Sequence, residues 1–475
     1  MSLSLALTNA VNGLGIASKR AEVVATNVAN AGRPGYARRS LDVTPISPHV
    51  PGSRTEVIRN ENTVSTTLRR ESEGREARAD VKTGFWNRID AALGEPGDPA
   101  SLSGRLTALQ GAVFDATTQP GSAQRLAAVS AAAEGVADGI NAAAREVQDI
   151  RRETEVRIGR EVASLNADLH SVVTLNQKIV QHAAVGGETA TFEDQRTLVL
   201  DRIAQQVDIT VLPRDFGAVA IVSKGGQILL DGSAKEVTFA QTADVTPDRT
   251  LGNGLKGLQV LGHDVSAQGG FGHVGGGRLE ALFHVRDVAT VDAQTQLDAF
   301  ADELVGRFAV SQDPARGAPA LFLDGRVPAG GAGLAGTLEV NAPYRGDSPG
   351  THWKLRDGLV PTAPDPAAAP GNLETMLDAF TDLAAPQNAT LGAAPRDLDG
   401  HAAALKSLFS HARGQASTDR DLSVAAANAA RSRDAENDVD IDEEMRRLIE
   451  VEQSYAAAAK VVEAVDQMMD RLTRI

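Results

Sequence analysis

The sequence predicts a mainly α-helical fold with inserted β structure, its terminal helices paired as a coiled coil and its layers nested around them. Three observations carry this. Apolar residues recur at alternating spacings of four and three at both ends of the chain. A helical period runs from about residue 123 to 184, with only Gly135, Gly139 and Gly159 as weak points. Between about 207 and 268 that period gives way to short β-type runs separated by Gly and Asp.

The N-terminal seam is Leu3, Leu7, Ala10, Leu14, Ala17, Ala21, Val24 and Val28. The C-terminal seam is Ile441, Leu448, Val451, Tyr455, Ala458, Val462, Val465, Met469 and Leu472. This spacing puts one narrow apolar stripe on each helix, as in a coiled coil. Neither helix can bury its stripe alone, so each requires the other or further copies. The first helix should stop near Asn30, where Ala31-Gly32-Arg33-Pro34-Gly35-Tyr36 breaks the pattern. Pro34 pre-sets φ and Gly35 accepts a positive φ, the type II turn pattern.

Residues 37–60 read as extended, with prolines at 45, 48 and 51. Helices are predicted at about 62–92 and 101–117, followed by the long one. The β runs are 207–211, 219–222 and 227–230. After the glycines at 269–277 a helix should run from Arg278 to about Val310. Residues 313–371 are rich in Pro, Gly and Ala, with short strands near 320–324 and 337–341. Helices at 372–384 and about 398–434 precede the last one. Four units follow: 1–30 with 440–475 as a terminal coiled coil; 31–205, 272–312 and 396–439 as a helical bundle; 206–271 as a β-rich outer domain; and 313–395 as an irregular insertion.

Composition narrows the function. With 47 basic and 62 acidic residues the net charge is −15, which repels phosphate backbones and argues against nucleic-acid binding. The absence of cysteine excludes disulfides and thiolate chemistry. No window approaches the ~18 apolar residues of a membrane span, so no membrane partner is expected. The first charged side chain is Lys19, so the basic n-region of a cleaved secretory signal is lacking.

Each chemical motif has a structural explanation. Asp440 with Glu443 fits a capping box more simply than a metal site. Gly270-Phe271-Gly272-His273-Val274-Gly275 matches the dinucleotide fingerprint but lacks its strand–turn–helix setting, and reads as a flexible hinge. Gly346-Asp347-Ser348-Pro349-Gly350 fits the nucleophile elbow, yet Pro349 has no N–H for an oxyanion. Arg345-Gly346-Asp347 spells an adhesion tripeptide on little evidence. His170 and His182 are too far apart for an i, i+4 ligand pair. No catalytic constellation, metal site or cofactor is expected.

Asn27-Val28-Ala29-Asn30-Ala31-Gly32-Arg33-Pro34-Gly35-Tyr36-Ala37-Arg38-Arg39 resembles the N-terminal signature of the bacterial flagellar axial proteins. The run from Val439 through Leu472, with Asp442-Glu443-Glu444-Met445 and Gln453-Ser454-Tyr455, is similar to that family's C-terminal signature. Gly32 and Arg33 depart from the usual Asn-Thr before the proline. Tyr36-Ala37-Arg38, Leu175–Ile179, Asp194-Gln195-Arg196 and Gly276–Leu279 with Phe283 and Arg286-Asp287 resemble the hook-associated branch. The resemblance implies a structural subunit at the hook–filament junction, exported through the flagellar type III apparatus without a cleaved signal, with an export chaperone. Its partners would be copies of itself in a ring, the hook protein and the next hook-associated protein, all in the extracellular flagellum. The assembly residues would be Leu3, Leu7, Leu14, Val24, Val28, Asn30, Pro34, Gly35, Tyr36, Leu448, Val451, Tyr455, Val462, Val465, Met469 and Leu472. A hook or distal-rod subunit, or a secreted enzyme or adhesin carrying axial-protein ends, remain the competing readings.

Overall fold

The structure, a computed structural model, describes residues 3–47, 50–265, 272–310, 315–326 and 331–473, with side chains for these except 3–4, 45–47, 50–52 and 472–473. The helices are α1 (Leu3–Ala29), α2 (Thr63–Ala92), α3 (Leu102–Thr118), α4 (Ala123–Ala184), α5 (Ala190–Gln206), α6 (Gly277–His284), α7 (Thr290–Phe308), α8 (Lys354–Asp357), α9 (Asn372–Thr381), α10 (Leu398–Ala435) and α11 (Ile441–Thr473). Side-chain caps open several of them. Asn62 accepts from the N–H groups of Val64 and Ser65, Ser101 from Gly104, and Asp397 from Gly400, satisfying donors that lack an intrahelical partner.

Nesting is visible in the pairings. α1 packs against α11, and α2 packs along α10. On that second pair Thr83 donates to the Ala416 carbonyl at 2.9 Å. Asp90 holds Lys406 and Arg413 at 2.9 Å each, and Arg431 reaches back to Glu73 and Glu76. Chain ends therefore close each layer.

α4 is one helix of 62 residues, about 93 Å long at ~1.5 Å per residue. Its glycines permit a close crossing rather than a break. A Cβ on Gly139 would meet Arg105 Cδ at 2.9 Å, and Arg105 donates to the Gly135 carbonyl at 2.7 Å.

The strands are β1 (Arg39–Ser47), β2 (Val50–Arg59), β3 (Ile209–Pro213), β4 (Val219–Ser223), β5 (Ile228–Asp231), β6 (Ser233–Ala234), β7 (Val237–Phe239), β8 (Thr250–Leu251), β9 (Gly254–Leu255), β10 (Leu258–Val260), β11 (His263–Asp264), β12 (Phe322–Asp324) and β13 (Leu338–Val340). β1 and β2 form an antiparallel ribbon with Arg39 opposite Arg59. β3 to β6 form an antiparallel meander, with Val211 opposite Ile221.

Two apolar cores share α4. Its first half, from Leu126 to Ile150, packs with α2, α3, α7, α9 and α10. Its second half, from Ile158 to Leu175, packs with α5, α6 and the β3–β10 region. This changes the expected boundaries. The 206–271 segment shares its core with α4 and α5, because its short sheets cannot cover both their faces. The 313–395 segment is no separate insertion: Leu321, Phe322, Leu338, Tyr344, Leu355 and Met376 lie in the first core.

Between the cores sits a charged joint. Arg286, fully buried in a π-helical turn (Val285–Ala289), contacts Glu155 at 2.6 Å and Asp287 at 2.7 Å, and lies over the Phe283 ring. Arg151 donates to the carbonyls of Arg286 and Thr246. Buried charges persist when they are paired and hydrogen-bonded.

Candidate assembly interface

The two terminal helices are antiparallel. Asn27, near the end of α1, bonds Glu444 at the start of α11. Fourteen residues back along α1 and fourteen forward along α11, Gly13 lies beside Ala458, where an added Cβ would sit 3.8 Å from Ala458 Cβ. Each seam is two parallel lines of residues with a period of seven, and pairing uses them unequally. Ala10, Ala17 and Val24 on α1, with Val451 and Val465 on α11, are buried. The second lines stay open: Leu14, Val28, Leu448 and Val462 are half-buried, and Leu7, Ile441, Tyr455 and Met469 are exposed. The side chains of Leu3 and Leu472 lie outside the described residues. One line per helix is spent within the chain, and one is left for something else.

Where the helices enter and leave the body, polar chemistry takes over. The Asn27 side chain is completely buried and makes all four bonds that a carboxamide can make. Its Nδ2 donates to the Arg39 carbonyl at 2.9 Å and to Glu444 Oε2 at 3.0 Å. Its Oδ1 accepts from the Tyr36 hydroxyl at 2.7 Å and the Arg39 N–H at 2.9 Å. Glu444, equally buried, takes Arg38 Nε at 2.8 Å. One amide thus ties α1, the turn, β1 and α11 together.

The turn that presents Tyr36 follows the expected pattern. The Tyr36 N–H donates to the Arg33 carbonyl at 3.1 Å, and Gly35 has φ +78°. Any side chain at position 35 would also collide with α5, since a Cβ there would lie 2.6 Å from Leu198 Cγ. Pro34 is exposed at the corner. Burial pushes the Tyr36 phenol up to about 12, with the Arg39 guanidinium opposing that rise. It therefore stays a donor throughout the neutral range.

Arg39 and Arg59 fasten this assembly to α5. Arg39 pairs with Glu188 at 2.7 Å and Asp194 at 3.0 Å, and lies over the Tyr36 ring. Arg59 reaches Asp194 at 2.8 Å and Thr197 at 3.0 Å. The shared carboxylate of Asp194 fixes both strands of the ribbon.

Of the predicted residues, the structure brings Val24, Val451 and Val465 together in the pair and places Tyr36 in the polar cluster. Asn30 does not join them: its Nδ2 donates to the Thr26 carbonyl within its own helix. Asn27, Arg38, Arg39, Asp194 and Glu444 were not among the expected site residues. A signal existed for one of them. Glu444, seven residues before Val451, falls on the buried line of its seam and interrupts it where a buried polar group must find partners.

The remaining motifs resolve structurally. Asp440 accepts from the N–H groups of Asp442 and Glu443, but the Glu443 carboxylate pairs with Arg447 and does not close the capping box. Residues 270–271 lie outside the described residues. Just beyond the motif Gly276 and Gly277 pack tightly: a Cβ on Gly277 would lie 2.6 Å from the Gln205 carbonyl oxygen. Arg345 is engaged by Glu339 and the Val340 carbonyl. Among the described residues no group of three or more His, Cys, Asp or Glu side chains could hold a metal ion.

The family model described as the flagellar hook-associated protein FlgK helical domain matches residues 86–313. The model for the C-terminal region of flagellar basal body rod FlgEFG proteins matches residues 436–475. Flagellar hook-associated protein 1 of Bacillus subtilis is 23% identical over 99% of this chain and 98% of its own length. The protein of the same name from Salmonella typhimurium is 23% identical over 52% of this chain and 46% of its own. A solved structure of the flagellar hook junction protein FlgK from Burkholderia pseudomallei aligns with a TM-score of 0.45 and 16% identity, covering 55% of this chain and 47% of that one.

Proposed function

We propose a mechanism of assembly from the premise that this chain belongs to the family of flagellar hook-associated protein 1, structural proteins of the external flagellum. It serves at the hook–filament junction and joins hook to filament. The observation that carries the mechanism is the divided seam: α1 and α11 bury one apolar line against each other and leave the second open.

Copies of this chain arranged in a ring would cover those second lines, adding the transfer energy of Leu7, Leu14, Tyr455, Val462 and Met469 only on assembly. At ~25 cal/mol per Å² of apolar surface, a few such side chains per contact give several kcal/mol, and a ring multiplies it. The polar cluster at Asn27 sets the angle at which the helix pair leaves the body, so that the seams of neighbouring copies meet in register. Hook protein on one side and the next hook-associated protein on the other complete the stack. Export through the type III apparatus, with a chaperone covering the open seam until delivery, fits a chain whose assembly surface is already apolar.

No catalytic step is required. The test is deletion of the gene followed by electron microscopy: bare hooks with flagellin shed into the medium are expected. Complete filaments on normal hooks would overturn the junction role.

A further inference from the structure

Phe216 stands at the tip of the β3–β4 hairpin with φ 55° and ψ 31°. A bulky side chain rarely holds this left-handed conformation, which favours Gly or Asn. It is also 65% exposed, so its ring contributes little to the fold that holds it there. The loop itself is firmly placed. Arg196 of α5 donates to the Gly217 carbonyl at 2.6 Å and to Asn176 Oδ1 of α4 at 3.0 Å. Arg214 pairs with Asp231 at 2.9 Å. Backbone strain retained on a fixed platform, with an aromatic ring turned outward, is the arrangement of a contact anchor.

A ring of identical copies is built from heterologous contacts, in which one surface meets a different surface on the next copy at the same height. The second surface is present. Val64 and Leu68, one turn apart on α2, are 67% and 45% exposed. Their height is fixed by Arg69 and Arg70, which both bind Asp201 of α5 at 2.9 and 2.7 Å. Phe216 is fixed by Arg196, less than two turns away on the same helix. Arg196 points to α4, whereas Asp194 and Asp201 point to the ribbon and α2. The anchor and the apolar pair therefore flank α5 at one level. Arg59, which binds Asp194, lines one cavity with Thr66 and Arg69 of α2.

Resting on the junction reading, we propose that Phe216 of one copy packs on Val64 and Leu68 of the next, forming a lateral contact outside the terminal seam.

The chain has no cysteine, so paired cysteines report this contact alone. A variant carrying Phe216→Cys and Leu68→Cys is expressed in cells, and isolated flagella are oxidised with copper–phenanthroline. A ladder of covalent multimers is expected, absent from either single variant. Single-chain bands only, from flagella whose filaments are attached, would overturn the contact. Phe216→Gly relieves the strain, so purified protein should melt at the same temperature or higher while filament-bearing hooks fall several-fold. A loss of filaments accompanied by lower melting would assign Phe216 to the fold and also overturn it. Val462→Asp carried in parallel separates the two claims. Filament loss in that variant alone sinks the Phe216 contact and leaves the junction role standing, whereas normal filaments in it sink the seam mechanism.

Discussion

α4 and the α1–α11 pair are built on similar apolar periods but end in opposite states. Along α4, Val129, Val136, Val147, Ile158, Leu165, Leu169, Val172 and Ile179 are all fully buried within the single chain. Along the terminal pair only one line of each seam is buried, and Leu7, Tyr455 and Met469 remain in solvent. Period alone does not distinguish a helix that completes a fold from one that awaits a partner. The difference lies in what surrounds it: α4 is covered by helices and sheets on several sides, while α1 and α11 have each other and the β1–β2 ribbon.

This contrast should appear first as unequal sensitivity to truncation. Leu106, fully buried where α3 meets α4, should lose about 2–5 kcal/mol on Leu106→Ala, read as a large fall in melting temperature. A near-neutral result would mean that the first core is loosely packed and the comparison is misplaced. Asn27→Ala comes next, leaving the Arg39 N–H and carbonyl, the Tyr36 hydroxyl and Glu444 each short of a partner, at roughly 1–3 kcal/mol in all once water reaches the opened end of the helix pair. The cost should be local. Amide exchange should speed up in α1 and α11 while α4 stays protected, and uniform acceleration would contradict a separable terminal pair.

Alkali probes the same cluster more gently. The Tyr36 phenol is raised from 10.0 to about 12 by burial, so folding favours its protonated form. Its contribution is complete below pH 10 and is lost as pH rises through about 12. Exchange protection of α1 should fall in that window and be insensitive to it in Tyr36→Phe. The smallest effect is a gain. Gly13→Ala places a methyl in ordinary contact with Ala458 and should stabilise α1 by about 1 kcal/mol, visible as slower exchange in that helix. Destabilisation there would show that the antiparallel register is wrong.

Much of the fold was legible because its signals are local. Helix boundaries at Asn30 and near residues 62 and 123 follow from the breaker and from the return of the helical period, and the β3–β5 runs follow from β-branched residues between Gly and Asp turns. The Pro34-Gly35 corner was readable for the same reason. What stayed hidden is long-range. That Tyr344 and Leu355 complete the core of α3 and α4 depends on chain closure over some two hundred residues, and a Pro/Gly-rich stretch carries no periodicity to announce it. The site was half readable: the apolar seams are periodic and Glu444 interrupts one of them, but Arg39, Arg59 and Asp194 are isolated charges whose meaning comes only from their meeting beside the terminal pair. Asn30 drew notice through the resemblance, while the buried amide three residues earlier performs the linking.

The central claim is that the open line of the seam serves assembly and not the fold, and Val462→Asp tests it most directly. Val462 is half-buried on the open line, seven residues from both Tyr455 and Met469 and fourteen from Leu448. Melting of the purified variant and filament attachment in cells expressing it should be measured together. The account predicts a melting temperature close to that of the parent protein and hooks without filaments, with the variant subunit recovered from the medium. Cells that carry full filaments and swim normally with Val462→Asp would contradict it.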